Sequence, residues 1–244
     1  MIISIYNQKG GVGKTTTAHT LAAGLCKRGF SVLAVDLDGQ ANFTNICGIA
    51  ADRNTAYDLL TGETFEPIKT GSFDLVPGSG KLDGADGYIN APDLLLEALS
   101  RYKSAYDFII LDSPPALGMI GLNALAASDR VIIPVHADKL SAQGVEKLAA
   151  FITRIRTEYN PGLMIDGLLL TGYNGRAVIA REYREYFADR AQALQTRLYN
   201  ATIREGVAVQ EAQTVNESIF DYAPRAKVTA DYNAFIEEFL TGCK

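Results

Sequence analysis

Cysteine and histidine are scarce in this chain of 244 residues. The three cysteines, Cys26, Cys47 and Cys243, are odd in number and share no C-x-x-C spacing, which argues against a disulfide framework and a structural zinc site. Reduced thiols are the usual state of cysteine in a cytosolic protein, so we expect a cytoplasmic location. His19 and His136 are isolated in the sequence, so a histidine-based metal site is not predicted.

Long apolar runs and an excess of positive charge are absent as well. No stretch of 18 or more apolar residues occurs, so no membrane-spanning helix is predicted. Residues 1–11 carry no basic segment ahead of their apolar residues, which predicts a first strand and not a signal peptide. The formal net charge of −5 argues against a uniformly basic nucleic-acid-binding surface but permits a local basic face.

Short apolar runs alternate with helical patterns, which predicts an α/β fold with a doubly wound, mostly parallel sheet flanked by helices. Several runs are apolar almost throughout, as is typical of strands buried on both faces. The predicted strands are 2–6, 31–36, 73–77, 107–112, 130–135, 165–173 and, with a weaker pattern, 198–203. The predicted helices are 14–28, 91–103, 119–128, 141–158, 177–194 and 226–241. The length suits a single domain over residues 1–244.

The region 48–90 is the least regular part of the sequence. Glycine, serine and aspartate dominate its centre, GSGKLDGADG at residues 78–87, and predict a surface loop. The string GSGK looks like part of a phosphate-binding loop. No hydroxyl residue follows Lys81 and no helical pattern comes next, so a plain loop is predicted.

A second glycine-rich string, QKGGVGKT, lies between a predicted strand and a predicted helix, which is the context of a phosphate-binding loop. Gly10, Gly11 and Gly13 permit backbone conformations that turn N–H groups towards an anion, and the next helix adds its positive dipole end. Lys14 is placed to reach the β- and γ-phosphates, and the Thr15 hydroxyl to ligate Mg²⁺. The loop therefore predicts a site for ATP and Mg²⁺.

Two predicted strands end in aspartate. Asp36 closes one of them, with Asp38 two residues further on, and Asp112 closes the other. A single aspartate in this position often caps a turn. Two strands that end this way beside a phosphate loop favour carboxylates that hold Mg²⁺ through water.

Lys9 gives the loop a second lysine, ahead of the glycines. Taken alone, it could be a solvated lysine at a strand end. The string KGGVGKTT resembles the deviant Walker A loop, x-K-G-G-x-x-K-[ST], of the ParA/MinD family of ATPases. The resemblance implies a P-loop NTPase fold and an ATP-dependent dimer in which Lys9 contacts the partner subunit's ATP and stabilises transition-state charge. The implied nucleotide contacts in the loop are Lys9, Gly10, Gly11, Val12, Gly13, Lys14, Thr15 and Thr16.

Two further strings carry the same resemblance. DLDGQAN, which begins at Asp36, resembles the family motif D-x-D-P-Q-x-N and implies that Asp38 orients the attacking water while Asp36 supports Mg²⁺. The chain departs from the motif at Gly39, where the family carries proline. DSPPALG, which begins at Asp112, resembles D-x-P-P-x-L-G and implies a switch loop whose aspartate senses the γ-phosphate.

The C-terminal half resembles the ParA/Soj partition branch of the family. The resemblance implies adenine contacts from Asn174, Ile203 and Arg204. The segment from residue 202 is similar to the branch's I-P-R-x-x-x-x-x-E-A-P string, with departures. Arg204 and Gln213 stand at the two proline positions, and Ala208 stands where relatives often carry arginine.

Six arginines and three acidic residues lie between residues 176 and 204, which gives this stretch a local charge of +3. The ParA/Soj resemblance implies non-specific binding of double-stranded DNA by the ATP-bound dimer, association with the nucleoid, and a ParB-type partner that stimulates hydrolysis. The candidate DNA contacts are Arg176, Arg181, Arg184 and Arg204. Each of them alone could instead be a solvated, salt-bridged side chain.

Proteins with other functions use the same loop. A MinD-type membrane positioner should end in a basic amphipathic helix, whereas Asp231, Glu237 and Glu238 make this tail acidic and predict a helix packed on its own domain. An iron–sulfur reductase needs cysteines after the switch loop, and none lies between Cys47 and Cys243. A MinD-like or protein-cluster positioning ATPase and a P-loop metabolic synthetase stay open as alternatives.

Overall fold

The computed structural model describes residues 1–63 and 65–243, and seven strands of this part form one sheet. The strands are β1 (Ile2–Ile5), β2 (Val32–Asp36), β3 (Ile68–Lys69), β4 (Asp74–Val76), β5 (Phe108–Asp112), β6 (Arg130–Val135) and β7 (Met164–Leu170). Their order is β3-β4-β2-β5-β1-β6-β7, and all neighbours are parallel except β3 and β4. The predicted mostly parallel sheet is confirmed.

Helices cover both faces of this sheet. They are α1 (Lys14–Cys26), α2 (Asn42–Ile46), α3 (Ala56–Leu60), α4 (Leu94–Ser100), α5 (Met119–Ala127), α6 (Lys139–Glu158), α7 (Val178–Ala193), α8 (Val207–Thr214), α9 (Ile219–Tyr222) and α10 (Lys227–Thr241). In the part of the chain that the structure describes, none of them has the length and apolar character needed to cross a membrane.

The side chains of β1 point alternately to the two faces of the sheet and contact a different set of helices on each face. Ile3 and Ile5 pack with α1 and α10 on one face, whereas Ile2 packs with α4 and α5 on the other. Both faces are buried, which explains the continuous apolar runs of the central strands. Because β1, β2 and β5 are parallel neighbours, their carboxyl ends meet at one edge of the sheet, where α/β proteins bind ligands.

The predicted strand at 198–203 is wrong. Its one β-bridge joins Leu198 to Leu168, and no regular ladder follows among the described residues. The Tyr199 ring packs on Gly167, where an added Cβ would lie 2.7 Å from the ring. Tyr199 N and Ile203 N still donate to carbonyls of β7, but Asn200 N and Ala201 N between them donate to the Glu238 carboxylate, which interrupts the ladder.

The loop predicted over 48–90 contains more structure than expected. α3 begins at a capping box in which Thr55 and Asp58 satisfy each other's backbone N–H groups. Two 3-10 turns follow at Gly80–Leu82 and Ala85–Gly87, and Leu82 is 3% exposed. Helices α2, α8 and α9 were not predicted either, because elements of four to eight residues are too short to show a helical period.

The predicted packing of the C-terminal helix is confirmed. Tyr232, Phe235 and Phe239 of α10 are buried in the same apolar cluster as α1. The acidic residues of the tail lie on its other face, where Glu237 pairs with Arg28 and Glu238 accepts from the backbone of Asn200.

Asp166 of β7 joins the end of the chain to the sheet. Its carboxylate accepts from Arg130 Nη1 at 2.6 Å, from Arg197 Nη2 at 2.7 Å and from the Tyr199 hydroxyl. Arg130 also donates to the carbonyl of Gly242, just beyond α10, at 2.9 Å. A single buried carboxylate therefore holds together β6, β7 and the end of α10.

His19 lies inside an aromatic cluster, and we predict that it makes the fold sensitive to acid. Its ring centroid is 5.6 Å from that of Phe43 and 5.8 Å from that of Phe73, and burial lowers its pKa to about 4. The unfolded chain, with a histidine pKa near 6.5, binds the extra proton first, so stability is complete above pH 6.5 and falls as the pH drops towards 4.

The expected loss from this histidine is about 2 kcal/mol between pH 7.5 and pH 5. Urea unfolding of the wild type and of His19→Leu across that range measures it. The stability of the wild type relative to the variant should fall by this amount, whereas parallel pH profiles would contradict the prediction.

Candidate active site

The phosphate loop connects β1 to α1 at the carboxyl edge of the sheet. Gly11 and Gly13 adopt positive φ angles of 75° and 80°, which explains why these two positions carry glycine. Gly10 is not among the glycines with a left-handed φ angle, so its part in turning the N–H groups towards an anion stays a prediction. Gly13 caps α1 without a side-chain partner, which leaves the helix N-terminus open towards the cleft.

Two polar residues that were not predicted hold the loop in place. Asn7 is fully buried; its Oδ1 accepts from Lys9 N at 3.0 Å and its Nδ2 donates to the carbonyl of Pro134 at 2.6 Å. The Thr171 hydroxyl donates to the carbonyl of Val12 at 2.9 Å from the end of β7. The only sequence signal for Asn7 is a polar residue directly after a buried strand.

Lys14 lies in the cradle that the loop forms. Its Nζ donates to the carbonyl of Lys9 at 3.1 Å, and the residue is 8% exposed. Burial lowers the pKa of Lys14, while Asp112 and Asp38 act in the opposite direction. The ammonium group thus stands between the loop backbone and the carboxylates, where phosphate oxygens can replace the carbonyl as its acceptor.

Lys9 points elsewhere. Its Nζ donates to Asp138 Oδ2 at 2.6 Å and to Ser141 Oγ at 3.3 Å, at the beginning of α6. Asp138 also caps α6 by accepting from Ser141 N at 2.8 Å. Neither partner of Lys9 was predicted. The two lysines of the loop therefore have different surroundings in one subunit.

Asp36 and Asp112 are register partners at the ends of β2 and β5, and both are fully buried. Asp36 Oδ2 accepts from Thr44 N at 2.9 Å and from Thr44 Oγ1 at 2.7 Å. Burial raises the pKa of Asp36 to about 6, while its hydrogen bonds to Thr44 and Asp38 oppose the rise. The predicted meeting of the two strand-end aspartates is found in the structure.

Asp112 is the carboxylate best suited to bind a cation. Neither of its buried carboxylate oxygens has a hydrogen-bond partner of good geometry. Burial and the neighbouring Asp36 raise the pKa of Asp112 well above its ordinary value, while the Thr15 hydroxyl and Lys14 oppose the rise. A divalent cation would satisfy these oxygens and favour the ionised form.

The residues present therefore fit Mg²⁺. Thr15 offers a hydroxyl oxygen, and Asp36 and Asp112 offer carboxylates. The described residues contain no group of three or more histidine, cysteine or acidic side chains with metal-binding geometry. A Mg²⁺ ion here would accordingly depend on water and substrate phosphate oxygens, which is its usual manner of binding.

Asp38 lines the cleft in front of the loop. Its Oδ1 accepts from Gln40 N at 3.0 Å, and its own N–H donates to Asp36 Oδ1 at 3.2 Å. The cleft has a volume of about 640 Å³ and is also lined by Asn45 and Gln213, two further residues that were not predicted. Gln213 Nε2 donates to Thr16 Oγ1 at 3.1 Å, so α8 contacts the loop directly.

A second cleft of about 540 Å³ adjoins the first at Gly11, Gly13 and Thr16. Ile203 and Arg204 line it, as the predicted adenine contacts should. Asn174 does not; it lines a third cleft together with Arg176. Arg204 lines this third cleft as well, so Asn174 lies next to the two predicted adenine residues that line the second cleft, but one cleft further from the phosphate loop.

Two of the candidate DNA-binding arginines, Arg176 and Arg204, line this third cleft, and the four candidates differ in their partners. Arg181 Nη1 donates to the carbonyls of Gly175 and Arg176 at 3.3 Å. Arg204 forms a two-pronged pair with Asp231, at 2.6 and 2.8 Å, so most of its charge is already neutralised.

Known proteins share both the sequence and this geometry. A family model described as an AAA domain matches residues 1–165. The chromosome-partitioning ATPase Soj of Thermus thermophilus is 38% identical over 245 residues, covering 98% of this chain and 94% of the relative. The chromosome partitioning protein ParA of Myxococcus xanthus is 34% identical and covers 98% of this chain and 87% of the relative. The chain belongs to the ParA/Soj family of ATPases.

The fold of this ParA/Soj member is shared with solved structures. The cobyrinic acid a,c-diamide synthase of Mycobacterium smegmatis, with bound ADP and magnesium, superposes with a TM-score of 0.82 at 29% identity, covering 98% of this chain and 93% of that chain. Our protein is an ATPase that uses Mg²⁺ and hydrolyses ATP to ADP and phosphate. The open helix N-terminus, the buried lysine and the unpartnered carboxylate all suit this chemistry.

Proposed function

We propose that this ATPase partitions DNA by an ATP-dependent cycle of dimerisation, non-specific DNA binding and partner-stimulated hydrolysis. The position of Lys9 carries the proposal. Its ammonium group points away from its own phosphate cradle and lies 2.6 Å from the carboxylate of Asp138, the residue that caps α6. Lys9 directly precedes Gly10, which lines the cleft, so a lysine here that does not serve its own site is available to the nucleotide of a second subunit. Relatives named as chromosome-partitioning proteins support the same function.

The chemistry proposed is attack of water on the γ-phosphate. Lys14 and the backbone amides of the loop bind the phosphates, and Asp38 orients the water. Thr15, Asp36 and Asp112 hold Mg²⁺, which supplies charge neutralisation when bound. Lys9 of the opposite subunit completes the charge balance, so an isolated subunit turns over slowly.

The proposed DNA surface is built from the arginines before and within α7. Arg176 and Arg181 are exposed and Arg184 is half-buried, so their charges can face phosphates. Arg204 contributes less, because Asp231 already neutralises it. We place the protein in the cytoplasm, on the nucleoid when ATP is bound, with a ParB-like partner that triggers hydrolysis and release.

Binding to random duplex DNA tests this function. We expect binding with ATP and little with ADP. The double variant Arg176→Ala/Arg184→Ala should bind at least about tenfold more weakly at moderate salt, and its slope of log affinity against log salt should be shallower by about 0.9 for each phosphate that it no longer neutralises. Arg154→Ala is the matched control, because this exposed arginine of α6 is already paired with Glu158.

Absence of ATP-dependent DNA binding even at low salt would contradict the partition function. It would favour a MinD-like or protein-cluster positioning ATPase, or a P-loop metabolic synthetase such as the structural relative from Mycobacterium smegmatis.

A further inference from the structure

The segment 78–83, expected to be a plain loop, packs against the segment that carries the catalytic aspartates. A Cβ added to Gly39 would lie 2.1 Å from Asp83 Oδ1 and 2.5 Å from its Cγ. The φ angle of Gly39 is not among the positive values, so its backbone conformation does not require glycine. The Asp83 carboxylate therefore packs directly on Gly39, and a side chain at this position would have to displace it.

A second close approach lies at the other end of the same segment. A Cβ added to Gly78 would lie 2.8 Å from the carboxyl carbon of Asp36 and 2.9 Å from the carbonyl oxygen of Asp38. Gly78 N also donates to Thr44 Oγ1 at 2.8 Å, and this hydroxyl in turn donates to Asp36. The segment 78–83 thus contacts the aspartate-bearing segment at two points: Gly78 packs on Asp36 and on the carbonyl of Asp38, and the Asp83 side chain packs on Gly39.

The backbone that carries the exposed Asp83 side chain is anchored. The preceding Leu82 is buried in the apolar cluster of β2, β5 and α4. The 3-10 turn that precedes Asp83, Gly80–Leu82, closes through hydrogen bonds from Leu82 N to Ser79 O at 2.9 Å and from Asp83 N to Gly80 O at 3.1 Å. The carboxylate is therefore presented from an anchored turn and not from a free loop.

Contacts lead from Asp83 to the proposed water-orienting residue. Asp83 Oδ2 lies 3.5 Å from Gln40 Nε2, the outer limit of a hydrogen bond, and Gln40 N donates to Asp38 Oδ1 at 3.0 Å. Ala41 N closes the turn on the carbonyl of Asp38 at 2.9 Å. Asp38 thus takes its orientation from a turn that Asp83 supports from outside.

We propose that Asp83 is a positioning residue for ATP hydrolysis, which fixes the turn 38–41 and through it the Asp38 carboxylate. This role rests on the proposed function of Asp38. In relatives with D-x-D-P-Q-x-N, the proline ring restrains the turn from within; here a carboxylate from the segment 78–83 restrains it by packing on Gly39. The residue at 83 and the residue at 39 therefore act as a pair.

The test is a double-mutant cycle on ATP hydrolysis. Asp83→Ala removes the carboxylate that supports the turn 38–41, and Gly39→Ala displaces that carboxylate with its new Cβ. Each single variant should lower kcat about fivefold, with KM for ATP and the melting temperature nearly unchanged. The variant carrying both changes should be no slower than either single variant, because the same interaction is missing from all three. Asp83→Asn keeps the shape and an acceptor for Gln40, so its kcat should stay within about twofold of the wild type.

Different results overturn different parts of this scheme. A combined loss equal to the product of the single losses, about 25-fold, means that positions 39 and 83 act independently and overturns the pairing. If kcat of Asp83→Ala falls only because a lower melting temperature leaves less folded protein in the assay, Asp83 serves stability alone. That result overturns the positioning role. Asp38→Ala serves as the reference: if it keeps normal kcat, the proposed function of Asp38 is itself wrong and the positioning role falls with it. A strongly impaired Asp38→Ala beside a wild-type-like Asp83→Ala removes only the role of Asp83.

Discussion

Replacement of Lys9 by alanine should lower kcat for ATP hydrolysis by about 10³-fold while ATP binding stays nearly unchanged, by analogy with charges supplied in trans to other nucleotide sites. The phosphate cradle of each subunit remains intact in this variant, since Lys14 and the glycine backbone do not depend on the Lys9 side chain. The variant loses the charge offered across the proposed dimer, together with the Lys9 hydrogen bonds to Asp138 and Ser141. Steady-state hydrolysis, titration with a fluorescent ATP analogue, and sedimentation with ATP or ADP measure turnover, ATP affinity and dimerisation separately.

Lys139→Ala is the matched control for this variant. Lys139 is an exposed lysine at the start of α6, directly after Asp138, so its removal changes the charge of the same rim. Its kcat should stay within about twofold of the wild type. A Lys9→Ala protein that dimerises with ATP and hydrolyses it normally would contradict the contribution in trans and leave Lys9 as a surface lysine paired with Asp138.

Replacement of Asp166 by alanine should cost about 3–5 kcal/mol of unfolding free energy. The variant leaves Arg130 and Arg197, both largely shielded from solvent, without their shared carboxylate, and the Tyr199 hydroxyl loses its acceptor as well. For a chain of this size, a loss near 3 kcal/mol lowers Tm by roughly 6–12 °C. Urea unfolding followed by circular dichroism gives the free energy.

Arg154→Ala provides the comparison for this loss. It removes one side of an exposed ion pair on α6, for which we expect less than about 0.5 kcal/mol. If Asp166→Ala is as mild as that control, the network does not hold α10 to the sheet. Below its melting temperature, Asp166→Ala should hydrolyse ATP at a rate close to that of the wild type. The carboxylate lies near the beginning of β7, whereas the phosphate loop lies at the carboxyl edge of the sheet.

The sequence predicted most of the sheet because its central strands are buried on both faces. Continuous apolar runs mark β1, β2, β5 and β6, and each run ends where the strand ends. The strand predicted at 198–203 is wrong because the backbone N–H groups of Asn200 and Ala201 donate to Glu238 of α10 and not to β7, so the ladder is interrupted. The helices that were missed are too short to display a period and depend on capping and tertiary contacts, as at the Thr55 capping box of α3.

The arrangement of the proposed site residues was predictable for a similar reason. The loop lysines and the strand-end aspartates lie in short strings whose spacing fixes their geometry. Asn7, Thr171 and Asp138 were missed because each acts through a contact with a residue distant in sequence or on another element, which no local string records. The same limit explains why the segment 78–83 was predicted to be a plain loop. Its composition is that of a loop, but Gly78 packs closely against Asp36 and Asp38.

Replacing residues by those most common in the family often stabilises a protein, but at position 39 this substitution is not expected to be stabilising. The family motif recommends proline, and proline in a turn usually strengthens a fold by restricting the unfolded chain. The Asp83 carboxylate already occupies the space that a Cβ, and hence the proline ring, would need. Gly39→Pro is therefore expected to be useful only when residue 83 is shortened at the same time, so the two positions have to be redesigned together.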